Sequence, residues 1–262
     1  MTVDKSNLVK ELLKTNLKKI CSVFEFDFKW NIIEEFENDN QFIDQINESI
    51  SKNDIFRTRK FESIYQFSTY RNVMYYLIRL LKPNCVVETG VLHGLTSTWI
   101  LQALHKNKKG SLISIDLPRK DWEKFFPDTP MGPGDLAPEI ELGDHEPGWI
   151  IPEYLRKNWE LKLGPSHVHL EDTLKQNPVD LFIHDSDHSY EIMSYECLKA
   201  FEIRPSSLFV IDNFDDNGFL FEYLSKNRVN YSFIDEVDDN CNISTTTAIM
   251  KLEEYIIDKR NK

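Results

Sequence analysis

The amino-acid sequence predicts an α/β fold: a doubly wound, mostly parallel sheet of seven strands with an antiparallel last strand, preceded by an N-terminal helical extension. From residue 84 onward, short apolar runs alternate with segments of helical periodicity. This alternation is typical of a parallel sheet covered by helices on both faces. Before residue 83, apolar residues recur at helical spacing instead. We therefore divide the chain into a helical extension, 1–82, and an α/β domain, 83–262.

The composition is that of a globular protein, with 41% hydrophobic and 28% charged residues among 262. No apolar run approaches the roughly 18 residues that a membrane span needs, and the amphipathic N-terminus does not resemble a secretion signal. The four cysteines are far apart and form no CxxC pair, which favours a reducing, cytoplasmic location. The net charge of −12 would repel a phosphate backbone, so we expect no nucleic-acid partner and no membrane partner.

Three apolar stripes predict helices in the extension. The first runs from Leu8 to Phe24 and the second from Phe42 to Ile50. The third runs from Val73 to Leu81 and stops before Pro83, where a helix should end.

Seven short segments predict the strands. Five are expected in parallel at 85–88, 112–116, 167–170, 179–184 and 208–212. The last two, 230–235 and 245–252, are separated by a short loop, so we expect them to pair as an antiparallel hairpin at the end of the sheet.

The segment 117–152 interrupts this rhythm, because it holds seven of the eleven prolines and four of the nine glycines. A loop of this length inside a domain usually has a function of its own or is disordered. Four aromatic residues make it too apolar for a solvated tail: Trp122, Phe125, Phe126 and Trp149. We therefore interpret 117–152 as a lid-like insertion.

Ligands of an open parallel sheet bind beyond the carboxyl ends of its strands. At the end of the first strand, "ETGVLHGLTS" begins with Glu88, and Gly90 and Gly94 permit a tight turn before Thr96 starts a helix. The dinucleotide fingerprint GxGxxG is absent, which argues against a nicotinamide enzyme. Asp116 ends the second strand, where a carboxylate can accept the hydroxyls of a ribose.

The ends of later strands carry a denser set of polar residues. "HDSDHSYE" supplies Asp185, Asp187 and His188 directly after one strand, and "IDNF" supplies Asp212 and Asn213 after the next. Oxygen ligands in such a group are typical of a magnesium site. Strand alternation places His184 on the face opposite Asp185, so we expect it to be packed.

Four segments resemble the ordered motifs of class I S-adenosylmethionine-dependent methyltransferases: "VVETGVLHGLTS", "ISIDLP", "LFIHDSDHSYE" and "LFVIDN". The branch most similar to them includes the macrolide-sugar O-methyltransferases and the proteins named cephalosporin hydroxylases. The resemblance covers roughly residues 75–255 by this fold-level interpretation. It implies a Rossmann-like fold, S-adenosylmethionine as cofactor and a divalent cation, expected to be Mg2+.

The resemblance also implies roles for individual residues. The methionine part of the cofactor would be lined by Glu88, Gly90, Gly94 and Thr96, its ribose held by Asp116, and its adenine approached by Glu171 or Asp172. The cation would be held by Asp185, Asp212 and Asn213. His188 occupies the position of the catalytic lysine of catechol-type enzymes and would be the base, with Asp187 as its rival.

We therefore expect methyl transfer from S-adenosylmethionine to a hydroxyl of a small molecule such as a sugar, a polyketide or a phenol. Two alternatives stay open: a metal-dependent hydrolase, and a non-catalytic nucleoside-binding module of a biosynthetic complex. The HxHxDH spacing of one hydrolase class would need histidines where this chain has Ile183 and Asp185. A homo-oligomer is compatible with all of these interpretations.

Overall fold

A seven-stranded sheet forms the centre of the structure, a computed structural model that describes residues 4–51, 60–120 and 142–253. The strand order is β3-β2-β1-β4-β5-β7-β6. The strands are β1 Cys85–Thr89, β2 Ser111–Asp116, β3 Trp159–Leu163, β4 Val179–His184, β5 Leu208–Ile211, β6 Val229–Val237 and β7 Ile243–Leu252. The first five pair in parallel, and β7 runs antiparallel to β5 and to β6. The predicted Rossmann-like fold and its C-terminal hairpin are confirmed.

Helices cover both faces of this sheet. The described α-helices are α1 Lys5–Val23, α2 Asn31–Glu37, α3 Asn40–Ile50, α4 Thr69–Leu81, α5 Leu95–Asn107, α6 Ser166–Gln176, α7 Tyr190–Ile203 and α8 Phe219–Lys226. Two 3₁₀ helices, Ile64–Gln66 and Glu153–Asn158, join them. Helices α1–α5 pack on one face and α6–α8 on the other, each with its own hydrophobic core. None of the described helices is long and apolar enough to cross a membrane.

The N-terminal helices share one core with the α/β part of the chain. The rings of Phe36 and Tyr75 stack at 3.6 Å, and the indole of Trp99 in α5 meets Phe36 edge-on. Trp99 also donates from Nε1 to Asn72 of α4 at 3.1 Å. Burying each such ring stabilises the fold by about 1.5–3 kcal/mol. The boundary predicted between residues 82 and 83 therefore marks the start of the first strand and not a break in the core.

The third strand lies elsewhere than the sequence predicts. The predicted strand 167–170 belongs to α6, where Val168 is 54% exposed and Leu170 and Leu174 are buried one helical turn apart. The strand that completes the sheet is β3, at its edge, and none of its five residues is fully buried. Its sequence, "WELKL", therefore lacks the apolar run by which the inner strands are recognised.

Candidate active site

The carboxyl ends of β1, β4 and β5 meet at one edge of the sheet. Two backbone hydrogen bonds extend the pairing by one residue, from the amide of Asp185 to Thr89 and from the amide of Asp212 to His184, both at 2.9 Å. The parallel register therefore places the first residue after β4 between the ends of its two neighbours. This is the edge where a sheet of this class binds its ligands.

Gly90 allows the turn after β1 to pass directly over the end of β4. Its φ of +85° lies in the left-handed region, and a Cβ built there would lie 1.8 Å from the carbonyl oxygen of Asp185. No side chain fits at that distance, so the position requires glycine. The close neighbour that explains Gly90 is thus the protein's own backbone, whereas the sequence suggested a ligand.

Glu88 is buried behind the same turn and is only 1% exposed. Its carboxylate accepts hydrogen bonds from Ser97 of α5 at 2.5 Å and from Ser114 of β2 at 2.6 Å. Burial raises the pKa of Glu88 to about 7, although both hydrogen bonds oppose that shift. Glu88 therefore ties the turn and α5 to β2, and Thr96 lies half-buried in the first turn of α5 next to it.

Asp116 shapes the loop that follows Gly90. One carboxylate oxygen accepts from the amides of Val91 and Leu92 at 2.9 and 2.8 Å, and the other accepts from Leu117 at 2.7 Å. Burial raises the pKa of Asp116, and these backbone hydrogen bonds counteract the effect. The structure thus places Asp116 at the edge of the predicted cofactor site, where it organises backbone amides.

The last part of the insertion, residues 142–152, lies on this loop. Gly148 donates its amide to Leu92 at 2.8 Å, and Ile150 donates to His93 at 3.1 Å. A Cβ on Gly94 would lie 2.8 Å from the Cα of Gly148, so the two backbones are in contact. The aromatic residues Trp122, Phe125 and Phe126 lie outside the described residues, and the lid function stays a prediction.

Asp185 and Asp212 form an acidic pair at the edge of the sheet. One ligand atom of each lies within 4.8 Å of the other and of a ring nitrogen of His188. Asp212 accepts from the hydroxyl of Thr247 at 2.5 Å. Burial and the charge of Asp212 raise the pKa of Asp185 well above its ordinary value, while the charge of Arg71 opposes this. Two half-buried carboxylates this close together favour a bound cation or a shared proton.

His188 belongs to the same group as the acidic pair. Its Nδ1 lies 3.2 Å from the side-chain amide of Asn213 and 3.6 Å from a carboxylate oxygen of Asp216. Its Nε2 is buried without a hydrogen-bond partner in the described part of the chain. The side chain of Asn217 holds the loop by donating to the carbonyl of His188 at 2.8 Å. The structure thus brings His188 to Asp185 and Asp212, and Asn213 to His188.

Three other predicted site residues lie away from this group. Asp187 is exposed and accepts from the amide of Ser189 at 2.7 Å, in the turn that begins α7. Glu171 and Asp172 lie within α6, the helix found where a strand was predicted at 167–170, and their approach to the adenine stays a prediction. Hydrogen bonds from Lys175 and Lys199 lower the pKa of Glu171 to about 2.

His184 is fully buried, as alternation predicts, and its imidazole contacts a buried carboxylate. Its Nδ1 lies 2.7 Å from a carboxylate oxygen of Glu196, which also accepts from Thr89 and Ser186. Burial acts to raise the pKa of Glu196, yet these hydrogen bonds bring it below its ordinary value. The low pKa of Glu196 therefore depends in part on its contact with His184.

Two residues of α4, Tyr70 and Arg71, were missed by the sequence analysis, and their environment includes the acids of this site. Burial, and then the charges of Asp185, Asp212 and Glu88, raise the pKa of Tyr70 well above its ordinary value. The charge of Arg71 acts to lower the pKa of Asp185. Both precede the apolar stripe of α4, and no local signal distinguishes Tyr70 from the core tyrosines of the same helix.

We predict that His184→Ala lowers the free energy of unfolding by about 1.5–3 kcal/mol, because it removes a hydrogen bond to the buried carboxylate of Glu196. His188→Ala should lower it by about 1 kcal/mol or less, since His188 is partly exposed and makes few contacts. Urea unfolding at neutral pH measures both. Equal losses in the two variants would show that His184 and Glu196 are not a structural pair.

Comparison with known proteins agrees with this geometry. Residues 87–214 match the family model described as a methyltransferase domain. No curated protein matches the chain at a significant level.

Among solved structures, a Klebsiella pneumoniae protein is 15% identical, with 85% of this chain and 95% of that chain covered and a TM-score of 0.52. An O-methyltransferase from Bacillus cereus in complex with S-adenosylhomocysteine is 14% identical, with 83% and 98% covered and a TM-score of 0.50. The cofactor-bound protein Rv0187 from MTB is 16% identical, with 82% and 90% covered and a TM-score of 0.52. At these identities the likeness shows the fold alone. Residues 87–214 thus resemble a methyltransferase domain, and the solved structures share the Rossmann-like fold of this chain.

Proposed function

We propose that the protein transfers a methyl group from S-adenosylmethionine to a hydroxyl group of a small molecule, assisted by a divalent cation. The observation that carries the proposal is the group formed by Asp185, His188 and Asp212 beside the turn after β1. The match of residues 87–214 to a methyltransferase domain supports the methyl transfer. The Bacillus cereus O-methyltransferase with bound S-adenosylhomocysteine supports the choice of cofactor and acceptor oxygen.

The cofactor would bind over the turn formed by Glu88, Gly90 and Gly94, with Asp116 at its ribose. Asp116 already accepts three backbone hydrogen bonds, two on one oxygen and one on the other. A carboxylate offers about four acceptor positions, so one remains for a ribose hydroxyl. The amides of Val91 and Leu92 that bind Asp116 belong to the loop after β1, at the carboxyl ends of the strands.

The residues present fit a divalent cation. The carboxylates of Asp185 and Asp212 lie close enough together to share one ion, with a ring nitrogen of His188 beside them, and magnesium prefers oxygen ligands with open positions for water or substrate. A cation would also relieve the repulsion that raises the pKa of Asp185. Asn213 remains a proposed ligand, although its amide lies against His188 in the structure.

When bound, S-adenosylmethionine supplies an electrophilic methyl group and the cation lowers the pKa of the acceptor hydroxyl. His188 accepts the proton of that hydroxyl at Nε2, its buried ring nitrogen that has no partner in the described residues. This requires the ring to carry its other proton on Nδ1. The side-chain amide of Asn213 can accept that proton through its oxygen, because the oxygen and nitrogen of an amide are interchangeable in position.

We propose the class of acceptor from the aromatic residues of the insertion 117–152. Trp149 is half-buried beside the loop after β1, and its indole donates to His93 at 2.9 Å. Aromatic side chains suit a sugar, a polyketide or a phenol, and a closing segment would exclude water from the transfer. We keep a small-molecule acceptor as the expected partner.

Cofactor binding tests the first half of the proposal. Asp116→Ala should weaken S-adenosylhomocysteine binding by about 10- to 100-fold, because it removes hydrogen bonds from a charged group. Asp180→Ala is the control, since Asp180 is exposed and binds Asn84 at the opposite edge of the sheet. Calorimetric titration of the full chain measures both. If both variants bind as tightly as the wild type, or the wild type does not bind, the cofactor assignment fails.

The rate of methyl transfer tests the second half of the proposal, the role of His188 as the base. His188→Ala should lower the rate about 10²- to 10⁴-fold, the usual contribution of a general base, with cation affinity kept within about twofold. His105→Ala, in the last turn of α5, is the matched control. Transfer of a labelled methyl group to a panel of sugars, polyketides and phenols gives the rate. A large loss of cation affinity in His188→Ala would instead make His188 a ligand of the cation.

A further inference from the structure

Three consecutive residues at the start of α4 carry buried polar atoms that lack a hydrogen-bond partner within the described residues. These atoms are Thr69 Oγ1, Tyr70 Oη and Arg71 Nε. A buried polar atom without a partner costs about 1–3 kcal/mol, and native proteins rarely leave one unexplained. Consecutive residues of a helix point in different directions, so each of the three atoms needs a partner of its own from outside the described residues.

Tyr70 is the best placed of the three. Its side chain belongs to a residue that is 5% exposed, and its phenol lies close enough to Asp185, Asp212 and Glu88 for their charges to raise its pKa. None of these carboxylates is within hydrogen-bond distance of the hydroxyl. Tyr70 Oη thus has no partner in the described residues, although the charges of the proposed cation ligands Asp185 and Asp212 act on it.

The first turn of α4 is held firmly in place. The carboxylate of Glu236, on β6, accepts hydrogen bonds from the backbone amides of Thr69 and Tyr70. The hydroxyl of Ser68 accepts from the amide of Arg71 at 3.3 Å and caps the helix. These contacts fix the backbone of Tyr70 at the start of α4.

We propose that Tyr70 is a further residue of the active site, whose hydroxyl forms a hydrogen bond with an oxygen atom bound to the cation between Asp185 and Asp212. The inference rests on the proposed function. The cation-bound oxygen is a water in the absence of acceptor and belongs to the acceptor's hydroxyl in its presence. A cation makes a bound water a stronger hydrogen-bond donor and a weaker acceptor, so the phenol oxygen would accept from such a water. The phenol would donate its own hydrogen to the acceptor's oxygen once that oxygen has passed its proton to His188.

The position of Tyr70 also gives the N-terminal helices a part in the reaction. Helix α4 lies before β1, in the segment that precedes the methyltransferase match at residue 87. The proposed active site would then be incomplete without the N-terminal extension.

Magnesium affinity tests the proposal directly. Calorimetric titration of MgCl2 into the full chain, with S-adenosylhomocysteine present, compares Tyr70→Phe with Tyr75→Phe. Tyr75 is the matched control, because it lies in the same helix and its hydroxyl is also buried without a partner, but the charges around it come from Arg79 and Glu35. We expect Tyr70→Phe to weaken magnesium binding about 10- to 100-fold, the usual effect of losing an outer hydrogen bond at a metal site. Tyr75→Phe should stay within about twofold of the wild type.

Three outcomes would overturn the inference, and they differ in what they leave standing. If Tyr70→Phe binds magnesium like the wild type while Asp185→Asn does not bind, the inference fails and the proposed cation site stands. If both tyrosine variants lose affinity equally, the effect belongs to helix packing and Tyr70 has no special contact. If the wild type does not bind magnesium, the cation fails together with the inference, while cofactor binding still tests the methyl transfer.

Discussion

The contact between Gly90 and the carbonyl of Asp185 is the constraint on which the site depends. Because a Cβ at Gly90 would lie 1.8 Å from that oxygen, the turn after β1 and the end of β4 can meet only with glycine at this position. The contact places the proposed cofactor turn directly beside the acidic pair. Asp116 fixes the rest of the loop by accepting hydrogen bonds from its backbone amides. Gly148, in the insertion, donates its amide to the same loop.

Several carboxylates lie near the carboxyl ends of these strands, and their negative charges are only partly neutralised by neighbouring residues. Glu88 is satisfied by two serine hydroxyls, and Glu196 by His184 and its neighbours. Asp185 and Asp212 have weaker compensation, from Thr247 and from the nearby charge of Arg71. Incomplete compensation of two neighbouring carboxylates favours a bound cation, which is the role proposed for Asp185 and Asp212.

The sequence predicts those parts of the fold in which burial and local pattern agree. The buried strands β1, β2, β4 and β5 have apolar runs, so their ends, and with them Glu88, Asp116, Asp185 and Asp212, could be located within a residue or two. The edge strand β3 has no such run, which misplaced Glu171 and Asp172. Tyr70 could not be found, because its approach to the acids depends on how α4 packs against β6.

Anomalous diffraction from crystals grown with Mn2+ and S-adenosylhomocysteine tests the central claim most directly, since it locates the cation and the cofactor sulfur together. The account predicts one manganese peak at metal–ligand distance from Asp185 and Asp212, with the sulfur beside the turn of Gly90. A cofactor bound at another edge of the sheet, or no manganese between the two aspartates at saturating concentration, would contradict it.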